Sequence, residues 1–245
     1  LASLFLMRWH AFFSLNNSIV PGLSCKATPT IGYSKFMHPF LYLASQSPRR
    51  QEILTQLGVR FELLLPDSSE NAEALEELIE GESALAYVER VTLAKLAAAQ
   101  VRLSKTSRPA APILCADTTV AITIDGQERI LGKPTDASDA KRILNLLNGQ
   151  HHQVHTAVAI DFNGNHRLLI SSSEVQFANC NENLINAYIA TGEPMGKAGA
   201  YGIQGLGGSL IESINGSYSG IMGLPLHETA RLLLGFDIQY SLHHD

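Results

Sequence analysis

The chain has 245 residues, 45% of them hydrophobic and 17% charged, and a formal net charge of −5. That balance suits a globular core and excludes nucleic-acid binding by bulk charge, so an anionic ligand would need a local basic site. Cys25, Cys115 and Cys180 are widely spaced and odd in number; they argue against a disulfide scaffold and a structural zinc site and fit a reducing cytoplasm.

Residues 1–36 begin apolar, but Arg8, His10, Asn16 and Asn17 break the run well short of a membrane span. The charge lies inside the apolar stretch and not ahead of it, unlike a secretory signal. The segment reads as a disordered or spurious extension, with Met37 a natural start, or as a degenerate targeting peptide. A single domain is expected over 37–240.

From Leu41 the pattern becomes regular. A strand at Leu41–Ser45 hands over to a helix at Pro48–Leu57, which Gly58 caps. Val59–Leu65 is a second strand, followed by an acidic loop over 66–71. Helix Glu82–Ala99 shows 3.6-residue apolar periodicity through Tyr87, Val91 and Ala94. Ala111–Cys115 is a short buried strand, and Thr118–Ile124 pairs with Arg129–Leu131 as a hairpin around Asp125-Gly126. Asp136 or Ser138 starts helix Ala140–Leu147. His152–Phe162 and Arg167–Phe177 form a long hairpin, a helix follows at Glu182–Ala190, and a loop-rich stretch leads to a last helix at Leu226–Leu234. Strands alternate with helices but include two antiparallel hairpins, which predicts a mixed-sheet α/β fold.

Several stretches carry chemistry. In Ser45-Gln46-Ser47-Pro48-Arg49-Arg50, Ser47 suits the N-cap and Pro48 the first helical position. Arg49 and Arg50 then oppose the helix dipole, at about 0.3–1 kcal/mol each. They make sense there if a phosphate chain docks at the helix start; otherwise they swing into solvent or pair with Glu70 or Asp67. Asp117 follows a buried strand, where open α/β sheets place ligands. It can serve as a general base or metal ligand, or merely cap the turn into the hairpin. Lys133 stands on a stiff loop and Lys95 on a long helix; lone lysines are usually solvated or snorkel, and Glu70 in its acidic loop is equally ordinary. Ten glycines lie between Gly192 and Gly223 without a Walker A or GxGxxG pattern. The run suits close approach to a ligand, with Gln204 reading a base edge, or is simply a tight chain crossing. His151, His152 and His155 have no evident third metal ligand, with 151 and 155 on one strand face and 152 on the other.

Six stretches together resemble the Maf family of nucleoside triphosphate pyrophosphatases: LYLASQSPRRQEIL (41–54), YVERVTLAK (87–95), ADTTV (116–120), GKPTDASDA (132–140), GEPMGKAGAYGIQGLGG (192–208) and INGSYSGIMGLPLHET (214–229). They occur in family order over about residues 39–236. The resemblance implies an elongated mixed sheet with flanking helices in two lobes around a central cleft, similar to inosine triphosphate pyrophosphatases, and often a homodimer. It implies hydrolysis of a nucleoside triphosphate to the monophosphate and pyrophosphate with divalent magnesium or manganese, and no nucleic-acid or membrane partner. Asp117 matches the family's proton acceptor. Ser45, Arg49, Arg50, Lys95 and Lys133 match its phosphate-binding residues, and Glu70 an acidic residue that joins Asp117 at the metal. Arg49, Thr118 and Gln204 match the pattern of the dTTP/UTP branch and not that of the 7-methyl-GTP branch. Gly196 stands where relatives commonly carry Asp. The resemblance also leaves open a nucleotide-binding regulator of septum formation with little catalysis.

Overall fold

The computed structural model describes residues 38–67, 70–71 and 73–242; the extension expected over 1–36 lies outside them. One mixed sheet of seven strands organises the described chain. Its strands are β1 (Leu41–Leu43), β2 (Phe61–Leu63), β3 (Ile113–Ile124), β4 (Gln127–Leu131), β5 (His151–Phe162), β6 (Asn165–Phe177) and β7 (Ile211–Asn215). They run in the order β2-β1-β3-β5-β6-β7, with β4 also paired to β3. The helices are α1 (Pro48–Gln56), α2 (Ala84–Ser104), α3 (Ala137–Leu147), α4 (Glu182–Ala190), α5 (Tyr218–Met222) and α6 (Leu226–Gly235). The expected α/β class and the mixed sheet with flanking helices are both present.

The largest departure from the sequence reading is β3. Two short strands were expected, broken at Ala116-Asp117; the structure runs one strand from Ile113 to Ile124, buried over most of its length. Asp is depleted in strands because an unpaired carboxylate does not belong on a buried pleat, but Asp117 has a lysine partner. It is therefore mid-strand, and the turn-capping alternative falls away. Elsewhere α2 continues to Ser104, past the expected Ala99, because Leu103 still packs on the core. Asp136 caps α3 by accepting from Asp139 N at 2.8 Å. The stretch read as loop after residue 190 holds two 3₁₀ turns, β7 and α5, elements too short and too glycine-rich to show a period.

One edge of β3 pairs with β5 continuously from Ile113 to Ala121. The other edge is divided: Ile113 and Leu114 pair in parallel with β1, and Val120–Ile124 pair in antiparallel fashion with β4. Between Leu114 and Val120 that edge meets no strand among the described residues. Alternation then sorts the side chains there, since successive residues point to opposite faces. Cys115 packs with Leu96 and Ala99 of α2 on one face. On the other face Ala116 joins the cluster of α1 and α6, while Val120 and Ile122 join that of α3 and α4. Thr118 stands between these two apolar cores, opposite Thr156 of β5.

The β5–β6 hairpin carries His152 into the second of these cores. His152 Nε2 lies 2.8 Å from Tyr201 Oη, and the ring makes edge contacts with Phe177 and Tyr201. His155 faces the other way, 2.8 Å from Ser172 Oγ, as the alternation requires. Burial, with His151 alongside, pushes His152 down to about 3. A histidine neutral when folded and protonated when unfolded makes stability rise with pH between the folded value and the ordinary 6.5. From about pH 6 to about pH 4, this residue alone is expected to remove about 1.4 kcal/mol of unfolding free energy per pH unit. Urea titrations across that range should show the slope, and a His152→Leu variant should lose its share of it.

Candidate active site

The gap in the β3 edge opens into a cleft of about 860 Å³. Ser45, Arg49, Arg50, Glu70, Lys95, Asp117, Thr118, Lys133 and Gln204 all line it, so every site residue expected from the sequence reaches one cavity.

The two arginines are not lost to solvent. Arg49 Nε donates to Met222 O at 3.1 Å, and Arg50 Nε to Gly223 O at 2.7 Å. Both thus leave the positive start of α1 for carbonyls at the end of α5, where helix carbonyls lack partners and cations are favoured. A hydrogen bond from a charged donor contributes about 1.5–3 kcal/mol, more than the dipole penalty at α1. Arg50 continues inward: Nη1 lies 3.1 Å from Ser45 Oγ and Nη2 3.4 Å from Thr118 Oγ1. Thr156 Oγ1 lies 2.7 Å from Gly220 O and 2.9 Å from Thr118 Oγ1. Thr156 has one proton and the shorter contact, to a carbonyl, takes it; the proton between the threonines is then Thr118's. Burial holds the Arg50 guanidinium below the ordinary arginine range, with Asp117 opposing. Gly223, at φ +120°, approaches this cluster so closely that a Cβ would sit 3.5 Å from Thr118 Oγ1 and 3.6 Å from Arg50 Nε.

On the opposite face Lys95 of α2 is anchored, not snorkelling. Its Nζ lies 2.6 Å from Asp117 Oδ1 and 2.7 Å from Glu76 Oε1, and Glu76 Oε2 is 2.7 Å from Lys133 Nζ. A chain of alternating charge results: Asp117, Lys95, Glu76, Lys133. Glu76 was not anticipated. It sits in a 3₁₀ turn, Glu73–Glu76, amid several acidic residues that no periodicity separates. Tyr87 Oη donates to Glu76 O at 3.0 Å, and Arg90 Nη2 to Glu77 O at 2.9 Å, fastening the segment to α2. Burial pushes the Glu76 carboxyl up, but Lys95 and Lys133 outweigh it and hold it below the ordinary glutamate value. The pairing is therefore complete above that value and lost as pH falls through the lowered one. Glu70 is held elsewhere, with both oxygens 2.7 Å from Arg102 nitrogens.

The third wall is the glycine-rich segment. Gln204 is exposed at its tip, and Lys197 Nζ donates to Glu193 O. Gly196 has φ +71°, the left-handed region that favours glycine, with open space where a side chain would project.

Residues 40–236 match the family model described as Maf-like protein. The chain belongs to the Maf family. Among curated relatives, a protein of Burkholderia orbicola (strain AU 1054) is 58% identical over 203 residues, 82% of this chain and 94% of that one. One of Albidiferax ferrireducens is 52% identical over 200 residues, covering 82% and 98%. One of Ralstonia nicotianae (strain ATCC BAA-1114 / GMI1000) is 55% identical over 197 residues, covering 80% and 93%. All three are named dTTP/UTP pyrophosphatase.

Glu76 occupies the two lysines that a phosphate chain would seek, and its charge opposes an anion. Replacing it by Gln removes the charge and one of the two acceptor oxygens. A Glu76→Gln variant is expected to bind pyrophosphate about three- to tenfold more tightly in metal-free buffer, measured by calorimetry with a chelator present.

Proposed function

We propose that this Maf protein hydrolyses dTTP and UTP, and modified analogues of the same pyrimidine triphosphates, to the monophosphate and pyrophosphate. The observation that carries this reading is the convergence of Asp117, four cations and a base-reading amide on one cleft, together with relatives of that name. In this reading the triphosphate lies along Ser45, Arg49, Arg50, Lys95 and Lys133. Asp117 accepts the proton of the attacking water. Lys95 holds the Asp117 carboxylate in place at 2.6 Å. The cations neutralise charge that develops on the leaving pyrophosphate. Arg49, Thr118 and Gln204 select the pyrimidine nucleotide.

The residues present fit a magnesium or manganese ion. Asp117 and Glu76 offer hard carboxylate oxygens on either side of Lys95, the donor type these ions share with substrate phosphates. Glu70, whose oxygens both face Arg102, is the weaker candidate. When bound, the ion would supply charge neutralisation on the phosphate oxygens. Among the described residues no three His, Cys, Asp or Glu side chains are grouped to hold a metal by themselves.

No helix among the described residues is long and apolar enough to cross a membrane. Cys115 and Cys180 are free, which suits the cytoplasmic placement in this reading; a homodimer is equally compatible with it.

The test incubates the protein with dTTP, UTP, CTP, GTP and 7-methyl-GTP plus magnesium or manganese. Monophosphate and pyrophosphate are expected from dTTP and UTP, with kcat reduced at least about a hundredfold in Asp117→Asn, the range of a lost general base. Binding without turnover of any triphosphate would overturn the enzyme in favour of a nucleotide-binding regulator, and preferential turnover of 7-methyl-GTP would overturn the substrate.

A further inference from the structure

Tyr201 and Ile203 pack on the core, but the loop leaves it at Gln204. Gln204, Gly205 and Leu206 are exposed in sequence, and a flexible loop would smear an amide meant to read a base edge. What fixes it is a carboxylate from behind. Glu193, just past the end of α4, accepts from Leu206 N at 2.9 Å through Oε2 and from Gly207 N at 3.0 Å through Oε1. Tyr188 of α4 donates its hydroxyl to Glu193 Oε1 at 3.0 Å and accepts from Gly202 N at 3.3 Å. Two side chains thereby hold three backbone amides, one on the near side of Gln204 and two beyond it.

The glycines follow from this clamp. A Cβ at Gly205 would lie 2.6 Å from either Glu193 carboxylate oxygen, and one at Gly207 would lie 2.6 Å from Tyr188 Oη. Both separations are far inside van der Waals contact, so any side chain would lever the loop off its support. The stem of Lys197 packs along the other side, its Cε 3.1 Å from where a Gly202 Cβ would stand. Burial pushes the Glu193 carboxyl up, but the Gly207 and Leu206 amides, Tyr188 and Lys197 outweigh it and keep it ionised.

We infer that Glu193, backed by Tyr188, is a positioning residue for nucleotide selection, setting where Gln204 stands in the cleft without touching the substrate itself. The inference rests on the proposed role of Gln204 and says what makes that role possible. Glu193→Gln keeps the size of the side chain but can no longer accept at both positions, so one loop amide is released. Tyr188→Phe removes the acceptor for Gly202 N and the hydroxyl that donates to Glu193, but leaves both carboxylate contacts to the loop in place.

The experiment compares Glu193→Gln, Tyr188→Phe, Gln204→Ala and the Glu193→Gln/Gln204→Ala double variant, each in the full chain. Kinetics are run with dTTP, UTP and GTP, and hydrogen exchange is followed over residues 202–208. Gln204→Ala is expected to cut the kcat/KM preference for dTTP over GTP by about tenfold or more. Glu193→Gln should lose part of it, roughly three- to tenfold, in KM more than in kcat, with faster exchange confined to the loop; Tyr188→Phe should do the same more weakly. The double variant should match Gln204→Ala alone within about twofold, because a loop without its reader has no selectivity left to misplace. Intact preference in Glu193→Gln beside lost preference in Gln204→Ala would overturn the inference and leave the function standing. So would losses that multiply in the double variant. Intact preference in Gln204→Ala would overturn base reading by Gln204, and the role of Glu193 in it as well.

Discussion

The site depends on a strand that changes partners along one edge. β3 begins beside β1 and ends beside β4, and over the residues between it has, among the described residues, a strand neighbour on one side alone. A strand edge left open inside a sheet is costly unless something polar meets it. Here the residues at the gap are Asp117, which meets Lys95, and Thr118, which meets Arg50 and Thr156. The gap is what lets one cleft collect side chains from both faces of the sheet. Had β1 or β4 continued across it, Asp117 and Arg50 would lie on opposite sides of a closed wall.

Alternation within β3 divides the work. The α2 face supplies a chain of alternating charges, and the α1–α5 face supplies guanidiniums braced on carbonyls and hydroxyls. These two kinds of support behave differently. Ion pairs through Lys95 are partly exposed and sensitive to salt and pH. Arg49 and Arg50 rest on main-chain carbonyls, which do not titrate. The arginine side therefore has a fixed geometry, whereas the lysine side can exchange a carboxylate for a phosphate with little change in local charge pairing.

Much of this was legible in the residues. The strand-to-helix turn at Ser45–Arg50, the strand leading to Asp117 and the long hairpin all follow from apolar periodicity and punctuation, and the residues taken as candidates do meet in space. What could not be read depends on pairing between distant segments. The continuity of β3 through Asp117 needs Lys95, twenty-two residues earlier on a helix. Glu76 is indistinguishable by sequence from Glu73 or Glu77 until the 3₁₀ turn aims it at two lysines. Glu193 looks like a solvated residue after a helix until the glycines beyond it are folded back onto its carboxylate. Glycine density showed that something approaches the backbone closely; it could not show that the approaching group belongs to the chain itself.

The grip of Arg49 and Arg50 on Met222 and Gly223 spans 173 residues of sequence. During synthesis the start of α1 emerges long before the carbonyls that will hold its arginines. At about 5–20 residues per second the wait is roughly 10–35 s. Throughout that interval the basic wall has its charges but not their orientation. The basic wall thus gains its orientation only once α5 has been made, and a product truncated before α5 would carry Asp117, Lys95 and Lys133 without the carbonyls that orient the two arginines.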